Sequence, residues 1–219
     1  MKTDSQLQKE VFTELSWEPS IQSKDIAVSV KDGIVTLNGN VPSYAEKFAA
    51  ESATKRVCGV RGIAEELKVN LMSPHQRNDS EIASAAVAAI AGHISIPQDR
   101  VKVVVENGWV TLSGSLDWNY QCDYAHNAVR YLVGVKGVSN NTIVKPTAVS
   151  TLDIRGKIET ALKRYMQKDA DGITIEANGS KVKLRGTVHT WEEHDDAGLA
   201  ARSAPGVSAV ENNLVVSYL

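Results

Sequence analysis

The feature that most constrains this chain is a short strand that it writes three times. Gly33-Ile34-Val35-Thr36-Leu37-Asn38-Gly39, Gly108-Trp109-Val110-Thr111-Leu112-Ser113-Gly114 and Lys181-Val182-Lys183-Leu184-Arg185-Gly186 set apolar residues at alternate positions, as a strand with one buried face requires. Asp32-Gly33, Asn107-Gly108 and Asn178-Gly179 stand before them, dipeptides that accept the positive φ of a tight hairpin turn. The closing glycines, Gly39, Gly114 and Gly186, are 75 and 72 residues apart. A chain of 219 residues with that interval is a row of three small modules. Glycine at the same strand position three times predicts a positive φ there, or a neighbouring backbone too close for a Cβ.

Aligned on those glycines, the rest of each module falls into register. Helix starts are signalled by Thr3-x-x-Gln6, Asn78-x-x-Glu81 and Ser150-x-x-Asp153, the first two as capping boxes. Apolar residues follow every fourth position: Leu7, Val11 and Leu15; Ile82, Ala86 and Ile90; Ile154, Ile158 and Leu162. A first strand alternates through Ile26, Val28 and Val30, through Val101, Val103 and Val105, and through Ile173 and Ile175. The second helix starts at Ser43-x-x-Glu46 and Thr190-x-x-Glu193, with Asp117 as the expected cap in the middle module. Its paired alanines (Ala50 and Ala53, Ala125 and Ala128, Ala197 and Ala200) suit a close approach to another element. Gly59, Gly134 and Gly206 are expected to end it in the left-handed conformation. Leu67 to Leu71, Thr142 to Val144 and Leu214 to Val216 form the last strands, and short linkers marked by Pro74 and Pro146 keep the modules near one another.

The chain therefore reads as α+β: three tandem α-β-β-α-β modules at 3–72, 78–145 and 150–219, each a three-stranded sheet with two helices on one face. The hairpin is antiparallel, and a right-handed helical crossover brings the third strand back parallel to the second.

The pattern Val-x-Leu-x-Gly-x-Val, a helix with spaced alanines, then Gly-Val-x-x-Val-x-Asn-x-Leu resembles the BON domain of bacteria. The third module carries it as Val182, Leu184, Gly186, Val188, Gly206, Val207, Val210, Asn212 and Leu214. The middle one has Val110, Leu112, Gly114, Leu116, Gly134, Val135, Val138 and Asn140, with Thr142 for the leucine. The first has Val35, Leu37, Gly39, Val41, Gly59, Val60, Ile63 and Leu67, with Glu65 for the asparagine. The resemblance implies osmotic or envelope stress, attachment to phospholipid membranes and, in some cytoplasmic members, potassium binding through backbone carbonyls. The matching residues are folding residues, so no binding residue transfers with them.

Composition narrows the function. A net charge of −2 gives no electrostatic basis for general nucleic-acid binding. No apolar run approaches the ~20 residues that span a bilayer, so the chain is expected not to be transmembrane. If Met1 is the natural start, its polar surroundings imply a cytoplasmic protein, and a periplasmic one if a leader has been trimmed. Cys58 and Cys122 make neither a disulfide framework nor a zinc site by themselves. No nucleophile elbow, phosphate loop, dinucleotide fingerprint or His-Glu-x-x-His motif is present, which points away from an enzyme and gives no catalytic residue. His189 and His194 are five apart, off the spacing that would share a metal, so neither a metal nor a cofactor is expected beyond potassium.

Two sets of residues remain as candidates for binding. Lys181, Lys183 and Arg185 alternate with Val182 and Leu184 and share the sheet face away from the helices. At about 1 kcal/mol each they fall short of a millimolar grip on an anionic membrane. Trp109 lies on the same face of the middle module, where it is expected to be covered by another module or chain. Trp118, Tyr120 and Tyr124 crowd the following helix start, with Trp191 at the corresponding end of the third module, and such rings suit a protein or lipid interface. The partner is either an anionic phospholipid surface or a protein, and the runner-up function is a cytoplasmic potassium-binding or scaffold module.

Overall fold

The computed structural model describes residues 2–72, 75–97, 99–145, 156, 158–160 and 172–217. Module 1 runs α1 (Asp4–Trp17), β1 (Ile26–Lys31), β2 (Ile34–Val41), α2 (Tyr44–Arg56) and β3 (Gly62–Val69). Module 2 repeats it with α3 (Asp79–Ala91), β4 (Val101–Glu106), β5 (Trp109–Leu116), α4 (Asn119–Arg130) and β6 (Gly137–Val144). Module 3 has β7 (Ile173–Asn178), β8 (Lys181–Val188), α5 (Trp191–Arg202) and β9 (Ala209–Val216). The expected cap at Ser150 and Asp153, the stripe residues Ile154 and Leu162, and Pro74 and Pro146 of the linkers lie outside the described residues. Ile158, the stripe's middle residue, is fully buried in the third core.

The expected α+β architecture is the observed one. The hairpin partner of each central strand is antiparallel, the crossover partner is parallel, and β2, β5 and β8 occupy the middle of their sheets. Alternation does what it promised: Val35 and Leu37, Val110 and Leu112, and Val182 and Leu184 are buried against the helices. Leu7, Val11 and Leu15 close the first core from α1, as Ile82, Ala86 and Ile90 close the second from α3. Full burial of each such Leu, Val or Ile side chain contributes roughly 1.5–3 kcal/mol.

The repeated glycine has one physical cause in all three modules. Gly39, Gly114 and Gly186 have φ of 144°, 148° and 135°. A Cβ on any of them would sit 2.0 Å from a backbone carbonyl oxygen, of Asp25, Arg100 and Gly172 respectively. The strand passes so close to the residue entering its hairpin partner that only hydrogen fits.

Three local expectations need correction. Asp117 does not cap α4: Trp118 holds the N-cap position, and the buried Gln121 accepts from the amides of Asp117 and Trp118. The Asp117 carboxylate instead pairs with Arg100 at 2.8 Å. Gly59, Gly134 and Gly206 do not end their helices, which stop at Arg56, Arg130 and Arg202. They take the third place of a following turn, closed by amides of Val60, Val135 and Val207 on carbonyls of Val57, Leu132 and Ala204, where a positive φ is required. In module 3 the hairpin loop is Gly179-Ser180, not Asn178-Gly179, because Asn178 still belongs to β7.

The modules meet through their second helices, in the same sense each time. The first residue of α2, Tyr44, packs against the core of module 2. Asn119, the first of α4, donates to the carbonyls of Arg202 and Val207 at the far end of α5. Trp191, the first of α5, packs against the core of module 1, and Lys55 at the end of α2 pairs with Asp195 at 2.9 Å. Contacts therefore run from module 1 to 2, from 2 to 3 and from 3 back to 1.

Candidate interaction surface

The outer face of each sheet is set by the strand residues that alternate with the core. In module 3 these include Lys181, Lys183 and Arg185, as the spacing required, but the stripe is not bare charge. Glu176 stands opposite Lys183 on β7, and Glu211 opposite it on β9. Lys183 pairs with Glu211 at 2.9 Å and Arg185 with Glu176 at 3.4 Å. Lys183 and Asn213 hold the Glu211 carboxyl below its ordinary range. Two acids thus lie among three bases, which weakens the field a membrane would feel.

Trp109 lies on the face opposite the helices, as expected, and among the described residues no other module covers it. It remains 47% exposed and lies across its own sheet. A Cβ on Gly137, its neighbour on β6, would stand 2.3 Å from the indole, and the indole Nε1 donates to Ser139 Oγ at 2.8 Å. The ring shields a glycine in an edge strand, a pairing that the sequence hides because the two residues are far apart along it.

The remaining aromatics divide. Trp191 is half-buried against module 1 and stacks edge-on with His194 at 5.3 Å, so it serves the contact between modules. Trp118, Tyr120 and Tyr124 stay exposed. Tyr120 meets Tyr124 edge-on at 5.5 Å, and His93 joins them 4.8 Å from Tyr124. Ile94, next to His93, is fully exposed. These residues come from the start of α4 and the turn after α3. The turn residue Ile94 has no place in the helical or strand pattern, so sequence reasoning missed it.

The motif asparagine also finds its role. Asn140 Nδ2 donates to the carbonyl of Cys122, and Asn212 Nδ2 to that of His194, while each Oδ1 accepts from the amide two residues on. Each ties the last strand to the second helix. Module 1 does the same with a charge pair: Lys47, at the matched helix position, lies 3.5 Å from Glu65 and donates to the Leu67 carbonyl. Cys122 is half-buried and burial pushes its thiol up, whereas Cys58 is exposed; both are free. His189 faces Glu193 at 3.7 Å. Among the described residues no three His, Cys, Asp or Glu side chains converge on a metal position, and no helix is long and apolar enough to cross a membrane.

Comparison with known proteins agrees with this architecture. The family model described as "BON domain" matches residues 3–70, 78–146 and 150–218. The osmotically-inducible protein Y of Escherichia coli (strain K12) is 31% identical over 146 residues, covering 65% of this chain and 73% of that protein. Two structures of CdsD, a structural protein of the type III secretion system of Chlamydia trachomatis, align over 95% and 99% of the chain and 91% and 100% of theirs. Their identities of 12% and 13% and TM-scores of 0.24 and 0.25 are too slight to add to the argument.

Proposed function

The chain belongs to the BON-domain family, and from that premise we propose a non-enzymatic, stress-associated binding protein that docks on phospholipid surfaces through the aromatic end of module 2. The observation that carries the reading is the exposed group of Trp118, Tyr120, Tyr124 and Ile94. Trp and Tyr have an apolar body and a polar tip, which suits them to the headgroup level of a bilayer. Similarity to an osmotically inducible protein supports the stress association. The basic stripe of module 3 is an accessory: even unopposed it would supply about 3 kcal/mol, less than a millimolar interaction needs. Cytoplasmic and periplasmic copies would meet the same lipid chemistry, and fractionation of cells expressing the natural gene assigns the compartment.

The test is sedimentation with phosphatidylglycerol–phosphatidylcholine vesicles. The intact chain should pellet at low salt, and changing Trp118, Tyr120 and Tyr124 to Ala together should cut binding more than tenfold. Changing Lys181, Lys183 and Arg185 to Gln should weaken it less and flatten its dependence on salt. An intact protein that stays in the supernatant at low salt overturns the proposal. A melting temperature then raised by potassium and not by sodium would put the potassium-binding reading in its place.

A further inference from the structure

We infer that the cleft between modules 1 and 2 binds a small organic oxyanion, a carboxylate or phosphate monoester on a few carbons, with Arg130 as its charge partner. The argument begins with a comparison inside the chain. Each second helix carries a cation in its last turn at a matched position: Lys55, Arg130 and Arg202. Across each contact between modules, that cation faces one matched position of another second helix. Lys55 reaches Asp195 at 2.9 Å. Arg202 is the foremost positive charge acting on the half-buried Asp123 carboxylate. At the third contact the matched residue is Phe48, and no acid is there.

Arg130 makes do with aromatic rings. Its guanidinium lies 4.4 Å over the Phe48 ring and 4.6 Å from that of Tyr131, whose hydroxyl accepts from Nη2. Nε is buried without a hydrogen-bond partner, and no carboxylate among the described residues pairs with the group. Contact with aromatic faces holds a cation in place without neutralising it, and a desolvated charge lacking a counter-charge is costly.

A counter-charge has room to enter. Beside Arg130 lies a cavity of about 160 Å³, lined by Ser43, His75 and Arg130 and by the apolar Leu71, Leu132 and Val133. Ser43 is the N-cap of α2, so the positive end of that helix opens on the same space. An oxyanion there would give Arg130 the counter-charge that Asp195 gives Lys55. The apolar walls favour an organic anion over an inorganic one. A space of about five water volumes suits an anion of a few carbons.

The test uses the full chain with glycerol 3-phosphate and with butyrate, against sodium chloride at matched ionic strength, read by thermal shift and calorimetric titration. At least one probe should bind saturably and raise the melting temperature by several degrees. Arg130→Gln should abolish both responses. Phe48→Asp keeps the guanidinium but supplies the carboxylate found at the other two contacts, and should weaken binding at least tenfold. If Arg130→Gln does not fold, Phe48→Asp alone decides. Failure of the native chain to bind either probe, or binding that survives both substitutions, overturns the inference. Binding found only with phosphatidic acid vesicles would overturn the soluble ligand in favour of a lipid headgroup. The aromatic docking surface is separate, so changing Trp118, Tyr120 and Tyr124 should leave the response to the probes intact.

Discussion

In module 2 the first residue of the central strand is Trp109, laid across Gly137; in module 3 the same place is held by Lys181, beside Ala209. The start of α4 carries Trp118, Tyr120 and Tyr124, where the start of α5 carries Thr190, Glu192 and Asp196. Beneath these surfaces the two modules share the same supports. Gly114 and Gly186 each pass 2.0 Å, measured from a would-be Cβ, under a carbonyl oxygen. Asn140 and Asn212 each bind a carbonyl of the second helix. The frame fixes a few small or polar residues and leaves the outward positions free. One fold therefore presents an aromatic end in one module and a mixed-charge face in the next.

The largest test asks whether the frame is as common as it looks. Gly114→Val and Gly186→Val should each cost about 3 kcal/mol or more, because the added side chain meets backbone that cannot move aside and the φ is strained. That approaches the whole stability of a core this small. Hydrogen exchange should show the substituted module losing protection first. Tolerance of one substitution but not the other would break the equivalence.

A smaller effect is expected at the asparagines. Asn140→Ala and Asn212→Ala should each cost about 1–2 kcal/mol in denaturant melts, since each removes a bond to the helix and leaves a strand amide without its acceptor. Glu65→Asn in module 1 should be better tolerated if Lys47 is changed to a neutral residue with it. An unequal pair of costs would show that one module leans on its neighbours more than the other.

The smallest effect separates the modules by pH. Module 2 has His126 where module 3 has Gly198. Burial, then the nearby Arg130, hold the imidazole below its ordinary pKa of 6.5, with the Asn127 side chain and then Asp123 opposing them in part. The folded state then binds fewer protons than the unfolded chain. The stability linked to the neutral ring is fully present above pH 6.5 and is lost as pH falls toward the depressed value. His126→Gln should flatten the decline in melting temperature between about pH 7 and pH 5.5. An unchanged slope would assign the decline to other groups.

Much of this was written locally and could be read locally. Alternation in Val110 and Leu112, the capping boxes at Thr3 and Asn78, and the spacing of Leu7, Val11 and Leu15 are short-range patterns with one structural solution each. At the cap of α4, Asp117 has the right chemistry one residue too early, and Arg100, 17 residues away, claims it. The contacts between modules carry no periodic signal. Asn119 meets a carbonyl 83 residues onward, and Phe48 meets Arg130 through a pairing that follows no salt-bridge rule. The contact that Trp109 makes within its own sheet is hidden for a related reason. Its partner is the missing side chain of Gly137, and an absent side chain leaves no trace in a hydrophobicity pattern.

Contacts that run from module 1 to 2, from 2 to 3 and back to 1 also impose an order of assembly. During synthesis the first two modules emerge before the third, so Tyr44 can settle on module 2 while α5 is still unmade. Lys55 must wait for Asp195, 140 residues later. Until then the end of α2 and the flank that Trp191 will cover stay open to solvent and to other chains. A nascent protein of this kind is most vulnerable in the interval just before its last helix forms, and docking of Trp191 ends that exposure.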